Sequence, residues 1–324
     1  MSNHLHSNNE HSINHSHDEN SHNHAHDHFN DVENLSGKKL FYVVLLNFGI
    51  TLAEFIGGLI AGSLALVSDS MHNLSDALSI ILAYFAHKIS LRGANKGKTF
   101  GYGRAKIISA FINSVTLIVI TVLLIKEAVL RLIKPEFVHS DTVIIVGTIG
   151  LIANILSMIF LKGHSEKDIN IKSAYLHMLG DAFSSVAVVL GAILIKYLNI
   201  PLIDPILTIF IALYIGKESF EILIKSLNVL MQSTPHNIDV DEIIKRLENI
   251  SEIENVHHVH IWSLDGKTNF FEGHINLKED VTVSQSMVIY KKIEQELSKM
   301  EIYHSTIQFE YKGCPECGVI SHKK

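Results

Sequence analysis

Long apolar runs alternate with short polar ones between residues 40 and 216. A helix that crosses a membrane needs about 20 largely apolar residues. Six stretches meet or approach that length: Leu40–Ala61, Ser63–Ala86, Ile107–Ile125, Thr142–Leu161, Ser173–Ile195 and Leu202–Ile215. The third and fourth carry no charge at all, which the buried helices of soluble proteins rarely manage. The pattern therefore predicts six transmembrane helices. The sixth is short and interrupted by Asp204-Pro205.

From residue 235 the periodicity changes. Val240–Asn249 reads as a helix opened by Asp239 or a nearby polar residue. Val256–Leu264 alternates like a strand, Asp265-Gly266 is a hairpin turn signal, and Phe270–Leu277 returns as a second strand. Val283–Lys299 is an amphipathic helix and Ser305–Tyr311 a third strand. This αββαβ order predicts a small ferredoxin-like α+β domain with one sheet. The expected fold is a polytopic α-helical membrane protein. Its parts are a tail over residues 1–35, six transmembrane helices within 38–232, a C-terminal α+β domain over 235–312 and a last segment over 313–324.

Charge sets the orientation. Lys and Arg collect on the cytoplasmic side of membrane proteins. One set of flanks and loops holds 13 of them, the other only Lys126, Arg131, Lys134 and Lys196. Both termini are expected in the cytoplasm. No secretory signal peptide is visible, because the first 30 residues are too polar for its apolar segment. Composition then adds one point. Residues 1–34 hold six of the 33 acids, no Lys or Arg and nine of the 21 histidines, so the remainder is charge-neutral and the net −6 belongs to the tail. A tail this polar is expected to be disordered. Its His15-Ser-His17 and His22-Asn-His24-Ala-His26-Asp-His28 runs suit weak metal capture. A neutral body without a basic patch excludes a nucleic-acid partner. The mean hydropathy of +0.25 agrees with a membrane and its lipid as surroundings.

The chemistry lies inside the spans. Span two holds His72-Asn-Leu-Ser-Asp76 and span five holds His177-Met-Leu-Gly-Asp181. His and Asp four residues apart share a helix face. Two such helices offer two imidazoles and two carboxylates, the donor set of a tetrahedral Zn²⁺ site. Ionisable groups at membrane depth are costly and mark function. Asp69, three residues before His72, is expected to orient a ligating His rather than to bind metal. Glu54 is either a proton-path group or the partner of a polar neighbour.

These motifs, the Phe100-Gly-Tyr-Gly-Arg104 loop and the C-terminal α+β domain resemble the cation diffusion facilitator (cation efflux) family, in its zinc-transporting type. The resemblance covers about residues 38–312. It implies that His72, Asp76, His177 and Asp181 hold the transported ion, and that the protein is a homodimer joined through its cytoplasmic domain. The loop Asn95–Tyr102 lacks the His and Asp of members with an extra metal site there, so no such site is expected. For the C-terminal domain the resemblance implies a metal site on His260, His274 and Glu310. There Gln308 stands where a His is common. Cys314-Pro-Glu-Cys317 supplies half of a zinc site, and the resemblance implies His304 and a partner's tail residue as its completion.

Zn²⁺ binds deprotonated donors, so metal and protons compete for one site. The expected function is a secondary active transporter that exports zinc from the cytoplasm in exchange for protons, in a bacterial inner membrane. Zinc is its cargo and a ligand of its cytoplasmic domain. Cd²⁺ and Co²⁺ accept similar donors. A membrane zinc hydrolase lacks support here: there is no His-Glu-x-x-His, and four ligands would close the open position that catalysis needs. The protein is therefore not expected to be an enzyme. A membrane-tethered metal sensor would not need the intramembrane motif.

Overall fold

The computed structural model describes residues 37–162, 169–313 and 318–319, with side chains from 48 to 159 and from 178 onward. Six long helices come first: α1 (Gly37–Ala61), α2 (Leu64–Ser90), α3 (Ala105–Ile133), α4 (Ser140–Lys162), α5 (Ile169–Leu198) and α6 (Ile203–Leu230). Among the described residues, three stretches are apolar and long enough to cross a membrane on those grounds alone, namely Ala105–Ile133, Ser140–Ile159 and Met178–Leu198. The usual arrangement of a soluble protein is inverted. Ile145, Leu156, Phe183 and Phe210 are exposed on the outer faces, while Glu54, Asp69, Asp181 and Asp204 are buried. An apolar exterior of this extent needs a lipid or protein partner.

Asp204-Pro205 does not interrupt the last helix. It forms the first turn of α6, where a proline loses nothing because that N–H has no helical partner. The helix then runs on to Leu230, well past the apolar window. Asp204 itself, 2% exposed, reaches across to α2. It accepts the Ser63 hydroxyl at 2.5 Å and the backbone N–H of Leu64 at 2.8 Å. The N–H of Ala65 adds a longer bond at 3.4 Å. Ser63 is also the N-cap of α2, accepting from Leu66 N–H. The first turn of α2 is thus capped from its own chain and from α6. The preceding turn needs Gly62 at φ +69°, a left-handed conformation that glycine adopts without strain. Arg131 of α3 donates to the Gly62 carbonyl at 2.5 Å.

The C-terminal unit contains α7 (Val240–Glu248), β1 (Ile253–Ser263), β2 (Asn269–Leu277), α8 (Val283–Ser298) and β3 (Ile302–Tyr311). Asp239 caps α7, and Thr282 with Gln285 forms a capping box on α8. The sheet order is β1-β2-β3, antiparallel then parallel, so α8 is the crossover between β2 and β3. Ile243, Leu247, Ile275, Ile293 and Leu297 form the core between helices and sheet. The strand β1 carries two irregularities, between Ile253 and Asn255 and between His257 and His260. At the second, His258 sits at φ +53°. Three residues of β1 there span two of β2, which is a bulge.

The two units meet at the α2–α3 loop. Asn95 accepts from the N–H groups of Gly97 and Lys98 and donates to the Tyr102 hydroxyl, folding the loop on itself. Phe100 packs edge-on against Phe270 of β2 at 5.4 Å, and Phe270 stacks on Trp262 of β1 at 5.4 Å. Gly103 lies against Leu264 and Asp265 of the hairpin turn.

Two predictions follow from these contacts. Asp204→Ala removes the cross-helix cap and leaves Ser63 without its partner. It should cost about 1–2 kcal/mol and lower the melting temperature of the detergent-purified protein. Asp204→Asn, which still accepts, should lose less, and an unchanged melting temperature for the alanine variant would remove the cap's role. On the C-terminal unit, bonds from Lys292 and Ser251 hold the Glu252 carboxyl down at about 2. A depressed carboxyl stabilises the fold above its unfolded value of about 4.3, and the contribution fades as pH falls toward 2. The pair is solvated, so the effect is small. Glu252→Gln should flatten the acid unfolding curve in that window alone.

Candidate metal centres

The first centre lies between α2 and α5. His72 Nε2 sits 3.4 Å from Asp181 Oδ1 and 3.6 Å from Asp76 Oδ2. Each of the three residues offers a donor atom within 4.8 Å of the others. His72 and Asp181 are buried and Asp76 half-buried. The i, i+4 spacing in α2 and the packing of α5 alongside bring them together. One imidazole and two carboxylates around a common point can coordinate a divalent cation. His177 belongs to α5, four residues before Asp181, and its side chain lies outside the described residues.

Asp69 has a different role from the three. It is 1% exposed and accepts hydroxyls from Ser184 and Ser185 of α5, the latter at 2.9 Å. Asn154 of α4 donates to Ser185 at 3.2 Å. Asp69 therefore ties α2 to α5 just beside His72. Ser184, Ser185 and Asn154 were not among the candidates drawn from the sequence, since isolated serines in an apolar run look like ordinary helix-packing residues. Glu54 of α1 is buried at 2% exposure, with its carboxylate against Gly150 of α4.

The second centre is on the sheet face turned away from α7 and α8. His257, His274 and Glu310 bring donor atoms within 4.8 Å of one another. His274 Nδ1 is 2.8 Å from Glu310 Oε1, and His257 Nε2 is 3.4 Å from Glu310 Oε2. Asn255 meets His257 Nδ1 at 2.9 Å. With Nδ1–H donating to that carbonyl oxygen, the Nε2 lone pair faces Glu310, the tautomer a metal ligand requires. Gln308 donates to Glu310 at 2.9 Å rather than standing among the donors.

His257 takes the place expected for His260, and the bulge is the reason. In a regular strand His257 and His260 would face opposite sides. The extra residue puts both on one face, His257 opposite His274 and His260 one pair further, opposite Glu272. A bulge has no clear signature in the sequence, so alternation along the strand does not put His257 beside His274. His304 is also elsewhere. It lies opposite Phe270 at the start of β3 and packs on that ring at 4.7 Å. Six residues of strand, about 20 Å, separate it from Glu310. Gly313 follows the far end of β3, so His304 is a strand's length from where the last segment begins. Cys314, Cys317 and the histidine-rich tail lie outside the described residues.

Comparison with known proteins fits this arrangement. Residues 40–231 match the cation efflux transmembrane domain, and residues 235–312 match the cation efflux protein cytoplasmic domain. The chain is 37% identical over 283 residues to the cadmium, cobalt and zinc/H(+)-K(+) antiporter of Bacillus subtilis, covering 87% of this chain and 91% of the relative. It is 33% identical over 299 residues to the zinc transporter ZitB of Escherichia coli, covering 90% and 94%. It is 33% identical over 297 residues to the metal cation efflux system protein CzcD of Cupriavidus metallidurans, covering 91% and 93%. The chain belongs to the cation efflux family of integral membrane transport proteins.

Proposed function

We propose that this protein is a secondary active transporter that exports Zn²⁺ from the cytoplasm in exchange for protons. The observation that carries the reading is the buried convergence of His72, Asp76 and Asp181 between helices whose outer faces are apolar. His177 is the proposed fourth donor, because its spacing from Asp181 repeats that of His72 from Asp76. A mixed imidazole and carboxylate set suits Zn²⁺. Its donors bind metal only when deprotonated, so protons arriving from the opposite side displace the ion. The names of the relatives support zinc as cargo and protons as counter-ion.

Six crossings with both termini in the cytoplasm are supported by the distribution of 13 basic residues against four. A bacterial inner membrane is supported by the bacterial relatives. A homodimer joined through the C-terminal unit rests on the family resemblance. In that unit, His257, His274 and Glu310 are the proposed residents of a regulatory zinc ion. The donor types, and the ring held by Asn255, fit such an ion. A second reading keeps the same mechanism and widens the cargo to Cd²⁺ and Co²⁺. It is favoured by the names of two relatives from Bacillus.

Reconstituted vesicles holding a zinc dye should accumulate zinc when a pH gradient is imposed. Asp181→Ala and His72→Ala should bring that rate down to the protein-free background, and normal transport by Asp181→Ala would overturn the site. The C-terminal centre is tested by equilibrium dialysis of the full chain in the Asp181→Ala background. There His257→Ala should remove one equivalent of bound zinc relative to the Asp181→Ala chain, while Asn255→Ala weakens that equivalent about 10–100-fold. His260→Ala should leave it unchanged, and a reversed order of the two histidines would return the site to His260.

A further inference from the structure

A second polar layer lies one helical turn from the metal layer, toward the start of α2. Four helices contribute to it. Asp69 of α2 accepts hydroxyls on both carboxylate oxygens, from Ser184 and Ser185 of α5. Asn154 of α4 donates to Ser185. Glu54 of α1 is the remaining member, and it is the exception. It is 2% exposed and, among the described residues, its Oε1 has no hydrogen-bond partner. A Cβ on Gly150 would fall 1.5 Å from that oxygen, so the carboxylate is seated directly on the α4 backbone.

Two carboxylates therefore share one low-dielectric layer, and the two serine donors go to Asp69. Asp69 is the charge that acts on Glu54, and behind it lie His72 and Asp181. From α4 the group seated against Glu54 is the uncharged Gly150. A bare buried carboxylate with a like charge beside it and no donor is costly. A proton on the carboxyl removes that cost, whereas a metal ion would need further donors, and among the described residues none reaches the Glu54 Oε1. A proton fits.

We propose that Glu54 is a binding site for the counter-proton, separate from the metal donors and linked to them through space. The proposal rests on the exchange reading above. With the metal layer empty, Glu54 holds a proton as its carboxylic acid. When Zn²⁺ arrives one turn away, its two positive charges replace the proton as the compensation for the carboxylates. The Glu54 O–H bond then breaks heterolytically, the electron pair stays on the carboxylate, and the proton leaves to water. When the metal departs, a proton from the medium at the α2 start restores the acid. Glu54 thereby adds a proton to each cycle without touching the metal.

The test uses full-length protein in vesicles loaded with either a zinc dye or a pH dye. Wild type should move protons against zinc. Absence of any proton movement in wild type would overturn the exchange reading itself. Glu54→Gln fixes the group in a neutral form of the same shape. It should keep zinc binding in the solubilised chain, but move fewer protons per zinc and lose part of the dependence of zinc flux on the pH gradient. Glu54→Asp should restore the ratio. An unchanged ratio and pH profile in Glu54→Gln would overturn the proposal while leaving the exchange reading intact. A further measurement needs no variant. Dicyclohexylcarbodiimide adds to protonated carboxyls in apolar surroundings, and peptide mass spectrometry of treated wild type should find the adduct on Glu54, with less of it in the presence of zinc. No adduct there would also overturn the proposal.

Discussion

A carboxylate inside an apolar helix bundle must be met by a donor or a cation, and this requirement organises the helical unit. Asp204 is met by the first turn of α2 and the Ser63 hydroxyl. Asp69 is met by two serines of α5. Asp76 and Asp181 converge on His72. Each of these ties except that between Asp76 and His72 joins α2 to another helix. Together they fix where α2 begins, how it is rotated and which side chains it shows to α5. Apolar packing alone could not specify this, because lipid tails satisfy a leucine as well as a neighbouring helix does. The polar contacts supply the register, and the proposed metal donors are presented by it.

Much of the fold was legible because the two environments leave different periods. Uncharged runs such as Thr142–Leu161 marked the spans, and the alternation of Val256–Leu264 marked a strand. The helix ends were less legible. Helices continue beyond the apolar window wherever the backbone can keep its hydrogen bonds, so α3 runs to Ile133 and α6 to Leu230. Asp204-Pro205 looked like a break because a proline inside a helix is one; at the first turn it is not.

The candidate centres divide in the same way. His72 and Asp76 are neighbours on one helix face by spacing alone, and that holds whatever the helix packs against. The sheet centre depends on strand register, which a single bulged residue changes for every position beyond it. The approach of His257 to His274 was hidden for that reason. The serines around Asp69 were hidden for another. Their role exists only through a helix more than a hundred residues away in the chain.

The contact between the two units has a practical consequence. Trp262 is the single tryptophan of the protein. It stacks on Phe270, which Phe100 of the α2–α3 loop touches from the other unit, and its strand also carries His257. The chain therefore has a built-in optical probe at the junction between its two parts. Its emission reports one location without labelling, so movement of the loop against the sheet can be followed in the unmodified protein as zinc concentration or pH is varied.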